Sequence, residues 1–214
     1  MTFQTMLTAL EEGMVRSLAI FFLTLLFSLP LGMLVMYLRR SKNKVISGIT
    51  KVYIAIMRGT PLMLQLLMWY FGPYYLFGWS IRGYRFPAII IGFSMNYAAY
   101  FAEIYRTGFE AIPVGQFEAA EVLGYSKPQT FFKIILPQLI KTILPSITNE
   151  IITLVKDTSL AFTLAYNEMF SVAKQIAASQ TSFVPFIVAG IFYFVMNYAV
   201  AFVMERAEKA LSYY

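Results

Sequence analysis

Four stretches, 17–38, 59–81, 86–102 and 181–204, contain no Asp, Glu, Lys or Arg. Each reaches or approaches the roughly 20 residues that a helix needs to cross about 30 Å of hydrocarbon. A fifth apolar stretch covers 141–165. No segment alternates apolar and polar residues in the ten-residue rhythm of an outer-membrane barrel strand, so helices are the expected spanning element. The pattern predicts five spans, over about 14–38, 52–77, 86–105, 141–165 and 182–204. One long polar segment, punctuated by Pro and Gly, separates the third span from the fourth.

Composition agrees with this pattern. Of 214 residues, 59% are hydrophobic and 13% charged, against about 25% charged in soluble domains. The chain is expected to be an all-α integral membrane protein, a single domain over 1–214. Histidine and cysteine are absent, which excludes disulfides, thiolate chemistry, an imidazole base and the usual zinc sites; no metal site is expected. The first residues carry Glu11 and Glu12 and no basic cluster, so the first span is expected to stay as an anchor.

The net charge of +6 is explained by location. Arg39, Arg40, Lys42, Lys44, Lys51, Arg106, Lys127, Lys133, Lys141, Arg206 and Lys209 fall on one side of the five spans. Only Arg16, Arg82, Arg85 and Lys174 fall on the other. Excess Lys and Arg marks the cytoplasmic face, which predicts an outside amino terminus and a cytoplasmic carboxyl terminus. Trp69, Tyr70, Tyr74, Tyr75 and Trp79 gather at the outer end of the second span, as an interfacial belt would, or as packing. No basic face interleaved with stacking aromatics points to nucleic acid. Five spans are few for a pathway and no internal repeat is evident, so a second chain is expected to complete one.

The polar segment, 106–140, reads as two short helices. Residues 116–123 are rich in helix formers, with Glu118 in the first turn where the helix dipole favours it. Gly124 can adopt the left-handed conformation that ends a helix. Ser126 and Gln129 have capping-box spacing for a second helix, and Pro137 should bend or restart it.

Glu118-Ala119-Ala120, three residues, Gly124, nine residues, and then Ile134-x-Leu136-Pro137 resemble the signature loop of permease subunits of bacterial ABC importers. Arg58-Gly59-Thr60-Pro61-Leu62 and Lys156-Asp157-Thr158-Ser159-Leu160 resemble the branch that imports polar amino acids. The resemblance covers most of the chain. It implies a type I ABC importer permease fold of five transmembrane helices in the bacterial cytoplasmic (inner) membrane. It also implies that 106–140 is a coupling hairpin whose residues Glu118, Ala119, Ala120, Gly124, Ile134, Leu136 and Pro137 engage an ATP-binding cassette subunit. The further implied partners are a second permease copy or related permease, an extracytoplasmic amino-acid-binding protein and the lipid bilayer. The chain has no G-x-x-x-x-G-K-[ST] loop, so ATP and Mg are expected on the partner ATPase, with no cofactor and no catalysis here.

Ionisable residues inside spans are costly and usually face a cavity or partner. Glu150 and Asp157, seven apart, share a face of the fourth span with Thr153 between them and Asn149 beside it. Glu150 lies about 13 Å along that span and Asn96 about 15 Å along the third, at similar depth. Glu150 is the leading substrate candidate, followed by Asp157, Thr153, Asn149, Asn96 and Glu103. Four of these have other readings: Asp157 with Lys156 as structural support, Glu103 as an ion-pair partner of Arg106, and Asn96 and Asn149 as amides that bridge helices. An acidic pathway favours arginine, lysine or histidine through charge-assisted hydrogen bonds. A glutamine or glutamate importer is the alternative. A channel or secondary transporter is the next class, and a membrane enzyme has little support.

Overall fold

The computed structural model describes residues 2–211. Its helices are α1 (Phe3–Arg39), α2 (Lys44–Gly59), α3 (Leu62–Phe77), α4 (Arg85–Glu110), α5 (Val114–Val122), α6 (Lys127–Thr130), α7 (Leu136–Asp157), α8 (Met169–Gln180) and α9 (Val184–Leu211). A π-helical turn, Phe131–Ile135, precedes α7, and a 3₁₀ turn, Thr158–Leu164, follows it. No strand occurs among the described residues.

Helices α1 and α9, and the run Lys127–Leu164, are each long and apolar enough to cross a membrane. Their outer faces carry large exposed apolar side chains, including Phe22 and Leu26 on α1 and Phe194 and Tyr198 on α9, as lipid contact requires. The second predicted span is not one helix. It is the pair α2 and α3, bent by 114°. Pro61 causes the break: it lacks an N–H for α2 to continue through, and its ring disfavours helical geometry at Thr60, which is extended at φ −121°, ψ 150°.

The third predicted span, α4, has 26 residues but does not stand out by apolar character. Its packing explains why. It lies against α1, α3 and α7, and Ala88, Ile89, Phe93, Ala98, Ala99 and Phe101 are fully buried. A helix surrounded by protein can carry Asn96 and Glu103 where a lipid-facing helix would not. Small residues bring α1 close to it. Ser17, Thr24, Ser28 and Gly32 of α1 are buried, and a Cβ on Gly32 would lie 2.8 Å from Phe101 Cβ and 3.1 Å from the Ala98 carbonyl. Such faces are what membrane helices use to approach one another.

Two elements differ further from expectation. The first helix starts at Phe3, well before the predicted span, with Thr2 as its N-cap. The stretch between the fourth and fifth spans, for which the sequence pattern predicted no element, contains α8. Glu168 caps α8, its carboxylate accepting the amides of Phe170 at 2.8 Å and Ser171 at 2.6 Å.

Candidate functional site

Two helix interruptions meet in the middle of the bundle. One is the Thr60–Pro61 break between α2 and α3. The other is the end of α7 at Asp157, where the chain tightens into the 3₁₀ turn and leaves it through Ala165 in a left-handed conformation. Helix α3 packs on that turn. Between them lies a cavity of about 410 Å³. Thr60, Pro61 and Leu62 line it from the break, Asn96, Tyr97 and Tyr100 from α4, Glu150, Thr153 and Asp157 from α7, and Leu160 from the 3₁₀ turn. Interrupted helices around a midplane cavity are a recurrent way to place polar groups within a bilayer.

The sequence-derived candidates separate here. Glu150, Thr153 and Asp157 come together, at spacings of three and four along one face of α7. Asp157 Oδ2 accepts the Tyr97 hydroxyl at 2.8 Å. Thr153 donates its hydroxyl to the Asn149 carbonyl at 2.9 Å, and Asn149 itself is not among the lining residues. Asn96 does line the cavity, but its amide donates to the Met57 carbonyl at 2.9 Å and to Gln65 Oε1 at 3.0 Å. Glu103 stands outside the cavity. It accepts Arg106 Nη2 at 2.7 Å and Nε at 3.1 Å, with Arg58 at 4.0 Å. The Arg58 guanidinium rests over the Tyr100 ring, 5.3 Å from its centroid, so one cation borders the acidic cavity without lining it.

Tyr97, Tyr100, Thr60 and Gln65 were not anticipated as site residues. The aromatic residues resemble packing in an apolar run. The one available signal was Gln65, an amide inside the uncharged stretch 59–81 that must find partners in a membrane.

The polar hairpin forms much as its turn chemistry predicts. α5 ends with Gly124 at φ 76°, whose amide donates to the Glu121 carbonyl at 2.9 Å while Tyr125 N–H reaches the Ala120 carbonyl at 3.0 Å. Gln129 Oε1 accepts the Ser126 amide at 2.9 Å. The second helix has only four regular residues before the π turn, and α7 restarts with Pro137 in its first turn. Pro137 supplies no N–H, and the register shift of a π turn takes up that gap. Ala120 and Ile135 are buried, Ile134 and Leu136 half-buried, and Glu118 and Ala119 exposed. Val114, Val122 and Leu123 are also exposed, Val122 at 88%, beside a cleft of about 630 Å³ lined by Phe117, Glu121, Tyr125, Ser126, Lys127, Thr130 and Phe131. The hairpin shares its end of the bundle with the basic cluster, since Arg40 lies 5.2 Å over the Phe109 ring.

At the opposite end, outside the spans, Glu168 is fully buried. Its carboxylate also accepts the Tyr193 hydroxyl at 3.1 Å and, at 3.5 Å, that of Ser17, which ties α8 to α9 and α1. Burial pushes its carboxyl up to about 7, against the opposing pull of these donors.

Residues 4–213 match the family described as "Binding-protein-dependent transport system inner membrane component". The chain is 37% identical over 202 residues to the putative glutamine transport system permease protein GlnP of Rickettsia bellii, covering 94% of this chain and 91% of that one. It is 34% identical over 201 residues to the arginine transport system permease protein ArtQ of Bacillus subtilis, with 94% and 91% covered. Its structure is similar to one described as an amino acid ABC transporter with histidines, at 30% identity and a TM-score of 0.86, covering 98% of this chain and 99% of that one.

Proposed function

The chain belongs to the binding-protein-dependent transport system inner membrane components, and we propose that it forms the pathway for amino acids with cationic side chains in an ATP-driven importer. Amino-acid ABC permease is the coarser statement, carried by the family and its relatives. The choice of substrate rests on the cavity. Among the described residues, Glu150 and Asp157 are the charged ones that line it, and carboxylates in a low-dielectric site favour a guanidinium or ammonium partner. The cavity volume of about 410 Å³ falls within the range usual for small-ligand sites.

A neutral amide substrate is the second reading, and one observation favours it. Arg58 on Tyr100 borders the site and offsets part of its acidity. The relative named for glutamine agrees with it.

The hairpin of α5 and α6 supports coupling. It presents exposed Val122 and Leu123 beside a preformed cleft, a surface suited to a soluble ATPase. Arg40 lies at the same end of the bundle, and the excess of basic residues there supports reading that end as cytoplasmic and the amino terminus as outside. A binding protein delivers substrate at the other end, and a second permease chain, identical or related, completes the pathway. ATP-driven closure of the ATPase pair moves the hairpins and opens the spans outward; hydrolysis resets them.

Reconstitution with the ATPase and binding protein in proteoliposomes tests this reading. Labelled arginine or lysine should be taken up, and Glu150→Gln should raise its KM about 10-fold or more, the loss expected for one hydrogen bond to a charged group. Glutamine uptake that saturates at the same KM in Glu150→Gln, with no arginine uptake in either protein, would replace the cationic reading with the amide one.

A further inference from the structure

A helix that stops inside a bilayer leaves its last carbonyl groups without partners, and no water is present to satisfy them. α2 stops at Gly59, and two of its last four carbonyls, those of Ile56 and Met57, accept side-chain donors. The Thr60 hydroxyl donates to the Ile56 carbonyl at 2.8 Å. Gln65, one turn into α3, directs Nε2 back to the Met57 carbonyl at 3.0 Å, the Thr60 carbonyl at 3.1 Å and the Thr60 hydroxyl at 2.8 Å. Its other end, Oε1, accepts the amide of Asn96, which also donates to the Met57 carbonyl. Gln65 and Asn96 are each 4% exposed, so both amides lie within the protein, while Thr60 is exposed beside them.

We propose that Gln65 and Asn96 are positioning residues: together they clasp the α2–α3 break against α4 and so hold Thr60, Pro61 and Leu62 as the cavity wall facing Glu150 and Asp157. Asn96 thereby acts mainly through the backbone of α2 rather than through the transported molecule. The geometry has a simple logic. A break without partners would close into a continuous helix or swing freely, and in either case the wall opposite the carboxylates would move. Satisfying the carbonyls from two other elements, α3 and α4, makes one bent arrangement the stable one. Both amides are used on the backbone and on each other, which a buried pair achieves only in this single orientation.

The inference rests on the cavity being the substrate site, and the experiment separates the two ideas. The chain has no cysteine, so Thr153→Cys places a single thiol on the exposed lining. Its rate of modification by a cationic methanethiosulfonate reagent, in the assembled transporter with cysteine-free partners, reads the shape of the cavity without any substrate. Gln65→Met keeps nearly the same volume and removes the amide; Asn96→Leu does the same from the other side. Each should change the modification rate at least fivefold. Each should also raise the uptake KM for labelled arginine or glutamine, measured in parallel, about 10-fold, while maximal uptake per assembled complex stays within about twofold. The double variant should be no worse than the poorer single one, because both act through one clasp.

Unchanged thiol reactivity and KM in both variants would overturn the proposal, as would strictly additive effects. Failure of both variants to assemble would overturn it as well, by making the clasp a requirement of the fold rather than of the cavity. A changed thiol rate with no uptake of either amino acid would uphold the clasp and reject the substrate reading alone.

Discussion

Tyr97 on α4 donates its hydroxyl to Oδ2 of Asp157 on α7 across 2.8 Å, fixing one carboxylate of the cavity from the neighbouring wall. Tyr97 is 2% exposed, so the donor is held in place by the surrounding helices. Tyr97→Phe keeps the ring and removes the hydrogen bond. A hydrogen bond to a charged group is worth about 1.5–3 kcal/mol, so KM for uptake should rise on the order of 10-fold with assembly intact. A KM within twofold of the parent would show that Asp157 needs no orientation by Tyr97.

Gly32 and Gly48 make a matched pair for the packing of the bundle. A Cβ on Gly32 would meet Phe101 Cβ at 2.8 Å and the α4 backbone just beyond, so Gly32→Ala should force α1 and α4 apart and cost about 1–3 kcal/mol. Gly48 has nothing within 4 Å and sits inside α2, so Gly48→Ala should be neutral or stabilise by up to about 1 kcal/mol. Thermal unfolding of the two variants in detergent should move in these opposite senses.

Gly124 ends α5 at φ 76°, a conformation that costs an ordinary L-residue about 1–2 kcal/mol and a β-branched one more. Gly124→Val should weaken substrate-stimulated ATP hydrolysis in the reconstituted complex, whereas Gly124→Asn, which tolerates that region, should retain most of it. Equal activity of the two variants would mean that the turn does not set the docking geometry.

Glu168 predicts a pH dependence of stability. Its carboxyl in the folded chain is pushed up to about 7 by burial, above an ordinary 4.5, so the folded state holds the proton more tightly than the unfolded one. The sign follows from this. Its contribution is fully present below about pH 4.5, declines as pH rises towards about 7, and is constant above that. The change amounts to roughly 3 kcal/mol. Melting temperatures of the wild type should therefore fall between pH 4.5 and 7, and Glu168→Gln should flatten that slope.

Much of the fold was legible in the chain itself. The length of the uncharged stretches indicated spans, and Gly124 and Pro137 marked the end of the hairpin's first helix and the restart after its second, because local backbone chemistry governs both features. The carboxylates of the site were legible for the same reason: Glu150 and Asp157 share a face through helical spacing alone. The break at Pro61 was missed because proline often stands in or beside transmembrane helices without ending them, and its effect depends on whether neighbours satisfy the freed carbonyls. Here Gln65 and Asn96 do so, from five and 36 residues beyond Thr60. α8 was missed because its length and polarity suit a connection, and the Glu168 cap that anchors it draws on Ser17 and Tyr193 from distant helices.

The sequence by itself determined a membrane-spanning helical chain with a polar hairpin between its third and fourth spans, since hydrophobic length and turn residues act locally. Only the tertiary structure decided which polar side chains face the cavity and which serve the backbone. Glu150 and Asp157 line it, Glu103 is held by Arg106, and Asn96 is engaged at the α2–α3 break. The reason is that a buried polar group in a membrane takes whichever partner packing brings within hydrogen-bond reach, and that partner is set by helix contacts far apart in sequence.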